Sequence, residues 1–341
     1  MRRIITSLGS VEKQFLEAGR YNVKILRIMT QIKVSLTKCN DYEPVNVQTA
    51  LLRHFELLGG IGTFIAKGDK VLVKPNMIAP KSASCAAQTD PAVIIELAKI
   101  LLDFGAKPIV GDSPAWANAN VCAETLGIVE PLKKLGVPVK QLRRPVKRTL
   151  EHSGAKIGIS SVALDADKII NLPKLKTHQQ LVMTIAVKNI FGCVSGKAKA
   201  IWHFRRGAAF DDFCTMLIDI YKLLAPVLTI VDAVVAMEGP GPINGNPKKL
   251  GWLIASADPM AIEIVCCDLI GISPEQLPLI KTAQKIGFGC TNRQNIQIVG
   301  DSLPAVPVKL VPAELTPLRF APARIVKSIL KQIFMLVKSK R

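Results

Sequence analysis

Short apolar runs alternate with longer amphipathic stretches along most of the chain. The apolar runs predict strands at residues 31–37, 70–74, 108–112, 168–171, 227–235, 252–256 and 296–299. Helical spacing of apolar residues predicts helices at 47–58, 91–104, 118–136 (one or two), 210–224, 258–270 and 274–286. This alternation predicts an α/β fold with a mostly parallel sheet and helices on both of its faces.

Two of the predicted helices begin at an Asp-Pro pair, Asp90-Pro91 and Asp258-Pro259. An aspartate caps a helix N-terminus well, and proline is accommodated in the first turn. The first of these helices is expected to end at Gly105, so residues 70–112 predict a right-handed strand–helix–strand unit.

In such sheets ligands bind beyond the carboxyl ends of the strands. Polar residues lie at the ends of the two predicted strands at 70–74 and 108–112. Lys74 and Asp112 are the last residues of these strands, and Asn76 and Ser113 come shortly after them. We therefore expect a ligand site at this edge of the sheet.

The length of 341 residues favours either one large or two medium-sized α/β lobes. We predict a basic extension at 1–30, an α/β domain at 31–300, and a linker with a basic amphipathic helix at 301–341. Residues 319–341, from Arg319 to Arg341, contain seven basic residues and no acidic one. A helix of this kind either lies in an anionic membrane interface or docks on the protein body, and both interpretations stay open.

The formal net charge of +19 favours an anionic partner, although a basic surface also serves solubility. The basic cluster at 140–148 lacks the interleaved aromatic residues that single-stranded nucleic acids require, which argues against a nucleic-acid partner. With neither a signal-peptide run nor an apolar run long enough to span a bilayer, we expect a cytoplasmic protein, peripheral to the inner face of a membrane if the terminal helix binds it.

The eight cysteines are scattered and include no C-x-x-C pair. This spacing provides no local iron–sulfur or zinc-ribbon motif, and it predicts buried free thiols in a reducing compartment.

The most polar predicted site is residues 171–203, which contain two of the four histidines and five lysines. Lysine, asparagine and glycine backbone groups are typical of oxyanion sites. We predict that the ligand contacts Lys74, Asn76, Asp112, Ser113, Lys174, Lys188, Asn189, Gly192 and Glu238.

Proton transfer in this site is assigned to His178, His203 and Lys176, since imidazole and amine groups titrate usefully when perturbed. A divalent metal is the alternative, held by His178 and His203 with Asp232 and Asp258 as further candidates. Cys193 is a weaker candidate nucleophile, and no G-x-S-x-G elbow is present.

Five short motifs occur in a characteristic order. They are Lys-Pro-Asn at 74–76, Gly-Asp-Ser at 111–113, Leu-Pro-Lys-x-Lys-Thr-His at 172–178, Val-Lys-Asn-x-x-Gly at 187–192 and Gly-Pro-x-x-Gly at 241–245. In this order they resemble the domain of unknown function 362 family over roughly residues 31–300. The resemblance implies no settled activity. Some members carry a fused ferredoxin-like [4Fe–4S] segment, whose cysteine run this chain lacks.

Two hypotheses follow. The first is an enzyme that binds a phosphate- or carboxylate-bearing small molecule in a cleft lined by Lys, His and Asn. The alternative is a non-catalytic or redox accessory protein, docked at a membrane surface, that holds a metal or an iron–sulfur group. The sequence leaves the oligomeric state open.

Overall fold

A ten-stranded, mostly parallel mixed sheet organises the protein in its computed structural model, which describes residues 31–115, 117–195, 198–207 and 209–315. The described residues contain twelve strands, of which all but β5 and β6 belong to this sheet. They are β1 (Ile32–Lys38), β2 (Lys70–Pro75), β3 (Lys107–Asp112), β4 (Val139–Gln141), β5 (Pro145–Thr149), β6 (Lys156–Ser160), β7 (Lys168–Leu172), β8 (Lys174–His178), β9 (Val182–Thr184), β10 (Leu228–Glu238), β11 (Asn246–Ser256) and β12 (Ile296–Gly300). The predicted extension at 1–30 and the predicted basic helix at 319–341 lie outside the described residues.

Ten α-helices occur in the described part of the chain. They are α1 (Pro44–Leu57), α2 (Pro91–Phe104), α3 (Ala119–Leu126), α4 (Val129–Lys134), α5 (Ser161–Leu164), α6 (Ala186–Ile190), α7 (Ala198–Arg206), α8 (Phe210–Leu224), α9 (Pro259–Ile270) and α10 (Pro278–Ile286). None of these described helices is long and apolar enough to cross a membrane.

The strand order is β12-β1-β11-β10-β7-β2-β3-β4, and both halves of the chain contribute to this one sheet. Six neighbouring pairs are parallel, whereas β11 runs antiparallel to both β1 and β10. Strand β8 follows β7 after Pro173 and pairs with β10 and β9. Strands β5 and β6 form a separate two-stranded ribbon. The predicted α/β class is confirmed.

Helices cover both faces of the sheet, as predicted. On β2, Val71 and Val73 pack in one apolar layer together with α1 to α4, while Leu72 packs in the other layer with α8, α9 and α10. Because side chains alternate along a strand, Lys74 follows Leu72 on the second face. Asn171 follows Ile169 on that same face of β7. The polar strand ends therefore face the layer that contains α6 and α8.

The predicted helix starts and the strand–helix–strand unit are present. Asp90 accepts a hydrogen bond from the Ala92 amide at 2.9 Å, and Asp258 accepts one from the Met260 amide at 2.8 Å. The first helix ends at Gly105, whose φ of 93° is in the left-handed region that glycine tolerates.

Residues 181–190, for which no strand or helix is predicted above, form β9 and the short α6. Strand β9 pairs with β8, and Val182 has a φ of 67°, which no α-helix contains. The basic cluster at 140–148 contributes strands β4 and β5, so it is partly sheet. Strand β11 begins at residue 246, before the start of the strand predicted at 252–256.

The strand order changes direction between β2 and β7. Strands β3 and β4 extend the sheet on one side of β2, whereas β7 and β10 extend it on the other. A crevice at the carboxyl ends of such a pair is where open α/β sheets bind ligands. The register places Lys74 beside Asn171 at this position.

A buried lysine cluster as the candidate functional site

Five lysines from β2, β8, α6 and α7 form the candidate site, and we call them the buried lysine cluster: Lys74, Lys174, Lys176, Lys188 and Lys199. Lys74, Lys174 and Lys176 have relative exposures of only 0%, 1% and 1%. Lysine is rarely buried to this degree, because its ammonium group loses its hydration shell. Each lysine must therefore find polar partners, stay neutral or meet a ligand.

Lys74 is neutralised by Asp112. Its Nζ lies 2.8 Å from Asp112 Oδ1 and donates to the Pro75 carbonyl at 2.6 Å. The carboxylate of Asp112 also accepts hydrogen bonds from the backbone amides of Met77 and Ser113, each at 2.7 Å. These contacts join the ends of β2 and β3.

Lys174 is neutralised by Asp232 on the adjacent strand β10. Its Nζ lies 2.9 Å from Asp232 Oδ2 and 2.6 Å from the Tyr42 hydroxyl. That hydroxyl donates in turn to Asp232 Oδ1 at 2.8 Å, and Asp232 Oδ2 accepts the Asp90 amide at 2.9 Å. The second pair is thus enclosed in a satisfied polar network.

Lys176 is different, because its partners are neutral. Its Nζ donates to Asn76 Oδ1 at 2.7 Å and to the Ala87 carbonyl at 2.6 Å. Burial lowers the pKa of Lys176 to about 7; the charge of Asp112 opposes the shift, and the other lysines add to it. A large fraction of Lys176 is therefore a neutral amine near pH 7.

Lys188 also has no carboxylate within ion-pair distance in the described part of the chain. Its Nζ lies over the rings of Phe191 and Phe213, 4.4 and 5.0 Å from their centroids, and 3.4 Å from His203 Nε2. Burial, followed by the charge of Lys199, lowers its pKa to about 7. Aromatic faces stabilise the charged form, but less strongly than an anion does.

Lys199 comes from α7 and donates to the Ser113 carbonyl. Burial lowers its pKa to about 8, with Asp112 opposing the shift. His203 lies four residues further along the same helix, so both side chains lie on one face of α7. Helix α7 therefore supplies two groups to the site.

The two histidines lie beside these cations, and His178 is buried whereas His203 is of intermediate exposure. His178 Nδ1 accepts the Gln180 amide at 3.0 Å, while the His203 ring packs against Phe213 at a centroid distance of 4.6 Å. Burial, then the charge of Lys188, holds both histidine pKa values well below their usual range. Both rings are therefore neutral at physiological pH, which is the form that accepts a proton or ligates a metal.

Three asparagines connect the strand ends. Asn189 Nδ2 donates to the Lys74 carbonyl at 3.0 Å and to Asn171 Oδ1 at 2.8 Å. Its Oδ1 accepts from Asn76 Nδ2 at 2.9 Å. This chain orients Asn76 so that its own Oδ1 faces Lys176.

Gly192 is needed for close packing against the Lys74–Asp112 pair. A Cβ at this position would lie 2.2 Å from Asp112 Oδ1 and 2.7 Å from Lys74 Nζ. No real Cβ atom tolerates such distances, so any side chain here would displace the pair.

Solvent reaches the cluster at its partly exposed members. Asn76, Lys188, Gly192 and Lys199 are each of intermediate exposure, whereas Lys74, Lys174 and Lys176 are almost fully buried. Lys176 is bonded to one of the partly exposed residues, Asn76.

Most of the predicted ligand-binding residues thus lie together, and two predicted carboxylates are engaged elsewhere. Glu238 Oε2 accepts the Val311 amide at 3.0 Å, and Asp258 accepts the amides of Met260, Ala261 and Cys290. Across the described residues, no group of three or more His, Cys, Asp or Glu side chains is arranged to hold a metal ion. The metal-binding role predicted for His178, His203, Asp232 and Asp258 stays a prediction, as does the ligand-binding role of Glu238.

Cys193 is fully buried, and burial raises the pKa of its thiol to about 12. A thiol with this pKa is not the reactive thiolate at neutral pH. All eight cysteines are free, and six of them are buried, consistent with the predicted free thiols.

Sequence reasoning missed four contributors, Tyr42, Ala87, Asp90 and Lys199. Asp90 was assigned only a helix-capping role, although its amide also contacts Asp232. Tyr42 and Ala87 enter through the tertiary fold and carry no local signal. Lys199 had one, because it lies within the same lysine-rich stretch as Lys174 and Lys188.

Comparison with known proteins gives three findings. The family model described as "Domain of unknown function (DUF362)" matches residues 71–268. The thylakoid-associated protein sll1697 of Synechocystis sp. (strain ATCC 27184 / PCC 6803 / Kazusa) is 39% identical over 258 residues, which cover 76% of this chain and 80% of that protein. The lactate racemase apoprotein from Thermoanaerobacterium thermosaccharolyticum aligns with 73% of this chain and 59% of its own, less than two thirds, at a TM-score of 0.45 and 12% identity.

Proposed function

The chain belongs to the DUF362 family, and from that premise we propose that it is an enzyme whose buried lysine cluster binds a small molecule with a carboxylate or phosphate group. One observation carries the proposal. The charge of Lys188 acts on Lys176, and the charge of Lys199 acts on Lys188. None of these three lysines has a carboxylate within ion-pair distance among the described residues, whereas Lys74 and Lys174 each have one. An anion supplies the missing counter-charge.

A buried cation without a counter-ion lowers the stability of the folded protein. Burial also lowers the pKa of such a group, because the charged form loses more hydration than the neutral form. In the ligand-free protein, burial lowers the pKa values of Lys176, Lys188 and Lys199 to about 7, 7 and 8. A bound anion raises these pKa values again, since an ammonium–oxyanion contact in a poorly hydrated site is a strong interaction.

The proton-transfer role goes to the neutral bases beside these cations. His178 and His203 are held neutral by burial and by Lys188, and Lys176 is partly neutral near pH 7. A general base must be both deprotonated and adjacent to the bound substrate, and all three meet the first condition. The net charge of +19 favours the arrival of an anionic substrate.

The test measures thermal stabilisation of the protein by phosphate and by succinate. We expect the wild-type melting temperature to rise with either anion, and Lys176→Met and Lys188→Met to lose most of that rise. Lys133→Met is the matched control, because Lys133 is 76% exposed and lies on α4. If both cluster variants respond like wild type, the site assignment is wrong.

We also propose, as a second candidate function, that the protein docks on an anionic membrane surface. Residues 131–150 contain seven basic residues and no acidic one. Among them Arg143, Arg144, Lys147 and Arg148 are exposed, and no described carboxylate pairs with them. Exposed basic residues of this kind are attracted to anionic lipids at about 1 kcal/mol each. The thylakoid-associated name of the relative supports the same idea.

Vesicle co-sedimentation tests this second candidate. We expect binding to phosphatidylglycerol vesicles, loss of binding on neutral phosphatidylcholine, and weakening in a variant with all four basic residues changed to Gln. Deletion of residues 319–341 tests the predicted terminal helix separately. Equal binding to both vesicle types would contradict the proposal.

A further inference from the structure

Helix α7 has two chemically different faces. Lys199 and His203 are four residues apart and lie on the face that contributes to the candidate site. Ile201 and Arg205 are also four residues apart, and they project from the opposite side because successive helical residues are rotated by about 100°. Ile201 is 51% exposed, and Arg205 is exposed as well. The outer face of α7 therefore presents a large apolar side chain next to a cation.

A groove of about 420 Å³ lies between α7 and the β5–β6 ribbon. Its lining includes Lys156 from β6 and Trp202, Arg205 and Arg206 from α7. Arg206 forms an ion pair with Asp212. Lys156 and Arg205 are exposed, and neither forms an ion pair with a carboxylate among the described residues. Two cations at this groove thus have no described counter-charge, so the groove suits an anion.

The groove continues the basic surface of the β5–β6 ribbon. The register of the ribbon places Lys147 and Lys156 on one face, while Ile157 and Ile159 are buried on the other. The chain just before α7 is attached to the same ribbon through an isolated antiparallel bridge between Val194 and Ile159. The cations of the ribbon and the outer face of α7 therefore belong to one continuous surface.

The apolar side chains of this surface indicate which kind of anion it meets. Trp202 is half-buried against the apolar core, and the Arg206 guanidinium lies 5.8 Å from its ring centroid. A tryptophan that is partly buried and partly wet, beside cations, is typical of membrane–water interfaces. A soluble anion gains nothing from exposed Ile201, whereas the boundary between lipid headgroups and acyl chains stabilises such a side chain. The combination favours a lipid surface.

We propose that the outer face of α7 and the β5–β6 ribbon form one docking surface for an anionic phospholipid membrane. A lipid phosphate group binds in the groove beside Lys156 and Arg205, and Ile201 enters the boundary between headgroups and acyl chains. The inference rests on the second candidate function proposed above, and it adds an apolar anchor and a headgroup site to the basic residues of the ribbon. One helix then contacts the membrane with one face and the candidate anion site with the other.

Vesicle co-sedimentation of the full chain tests the apolar anchor. Ile201→Ser should lower the partition coefficient on phosphatidylglycerol vesicles by about three- to tenfold, because less apolar surface leaves water on binding. Leu52→Ser is the matched control, since Leu52 is 50% exposed and its helix α1 packs on the other face of the sheet from Trp202. The control protein should bind like wild type.

The double variant Lys156→Gln with Arg205→Gln tests the headgroup site. We expect about a tenfold or larger loss of binding at low ionic strength, because both cations no longer attract lipid phosphate. Lys67→Gln with Lys133→Gln removes the same charge from exposed positions elsewhere, and it should lower binding much less. High salt should shrink the effect of the double variant but preserve that of Ile201→Ser, since salt screens only the charges.

The outcomes separate this inference from membrane docking in general. Wild-type binding by either Ile201→Ser or the double variant overturns the inference. A loss confined to the double variant would assign the groove to a soluble phosphate instead of a membrane. If the four-Gln ribbon variant alone is weakened, docking stands without the α7 surface. If the wild-type protein does not bind phosphatidylglycerol vesicles, both ideas fail.

Discussion

The candidate site contains two kinds of lysine, those paired with an aspartate and those without a carboxylate partner among the described residues. We assign a structural role to the first kind and a binding role to the second. Lys74 and Lys174 each contact an aspartate at 2.8 and 2.9 Å, and further backbone or hydroxyl groups complete their shells. Lys176 and Lys188 are surrounded by neutral oxygen atoms, a histidine and aromatic rings. The paired lysines hold strands together, whereas the carboxylate-free lysines have no such counter-ion among the described residues, which is why we assign them to the proposed anion site.

The largest expected effect comes from breaking a paired lysine. Asp232→Ala leaves Lys174 buried without its counter-ion and also removes the acceptor for Tyr42 and the Asp90 amide. We expect the free energy of unfolding to fall by about 3–5 kcal/mol, measured by chemical denaturation. Glu130→Ala, which removes the exposed partner of Lys133, is the control and should cost about 0.5 kcal/mol or less. Similar losses in both variants would contradict a structural role for the buried pair.

The next effect comes from the close packing at Gly192. Gly192→Ala forces a methyl group against Asp112 and Lys74, and we expect a loss of about 1–3 kcal/mol in unfolding free energy together with weaker anion binding. Gly62→Ala is the matched control, since a Cβ there meets nothing nearer than 4.0 Å and its φ is not in the left-handed region. A Gly192→Ala protein as stable as the control would contradict this prediction, because it would show that Lys74 and Asp112 shift at little cost in free energy.

Lys176 is distinguished by the pH dependence of its contribution to the free energy of unfolding. Its folded-state pKa is about 7, against the usual 10.5, so between these values the unfolded chain binds more protons than the folded one. Wild-type stability should therefore rise relative to Lys176→Met as pH increases from about 7 to 10, by up to about 1.4 kcal/mol per pH unit. Below pH 7 the difference should be constant. Subtracting the variant removes the contributions of Glu263 and the buried cysteines, whose pKa values are shifted in the opposite direction, upward. A difference independent of pH would contradict a buried, carboxylate-free amine.

The sequence predicted the fold class, and it located most residues of the candidate site at strand ends, because both depend on local signals. Apolar runs ending in polar residues located the ends of β2 and β3, and with them Lys74, Asn76 and Asp112. The Asp-Pro pairs located two helix starts, since capping is a local interaction.

What the sequence did not predict depends on long-range pairing. Strand β8 was missed because all five of its side chains are buried, so lysines occupy positions where apolar residues signal a strand. The division of residues 181–190 between β9 and α6 depends on the pairing of β9 with β8. The sequence also did not show which lysines are paired with an aspartate, because Asp232 lies 58 positions from Lys174 in the chain.

The most direct test of the central claim is a calorimetric titration of the protein with phosphate at pH 8, in two buffers of different ionisation enthalpy. An anion beside Lys176 and Lys188 must raise pKa values that stand at about 7 in the free protein, so binding must take protons from the buffer. The account predicts net proton uptake, reduced in Lys176→Met and unchanged in Lys133→Met. Phosphate binding without proton uptake, or equal uptake in the Lys176→Met protein, would contradict it.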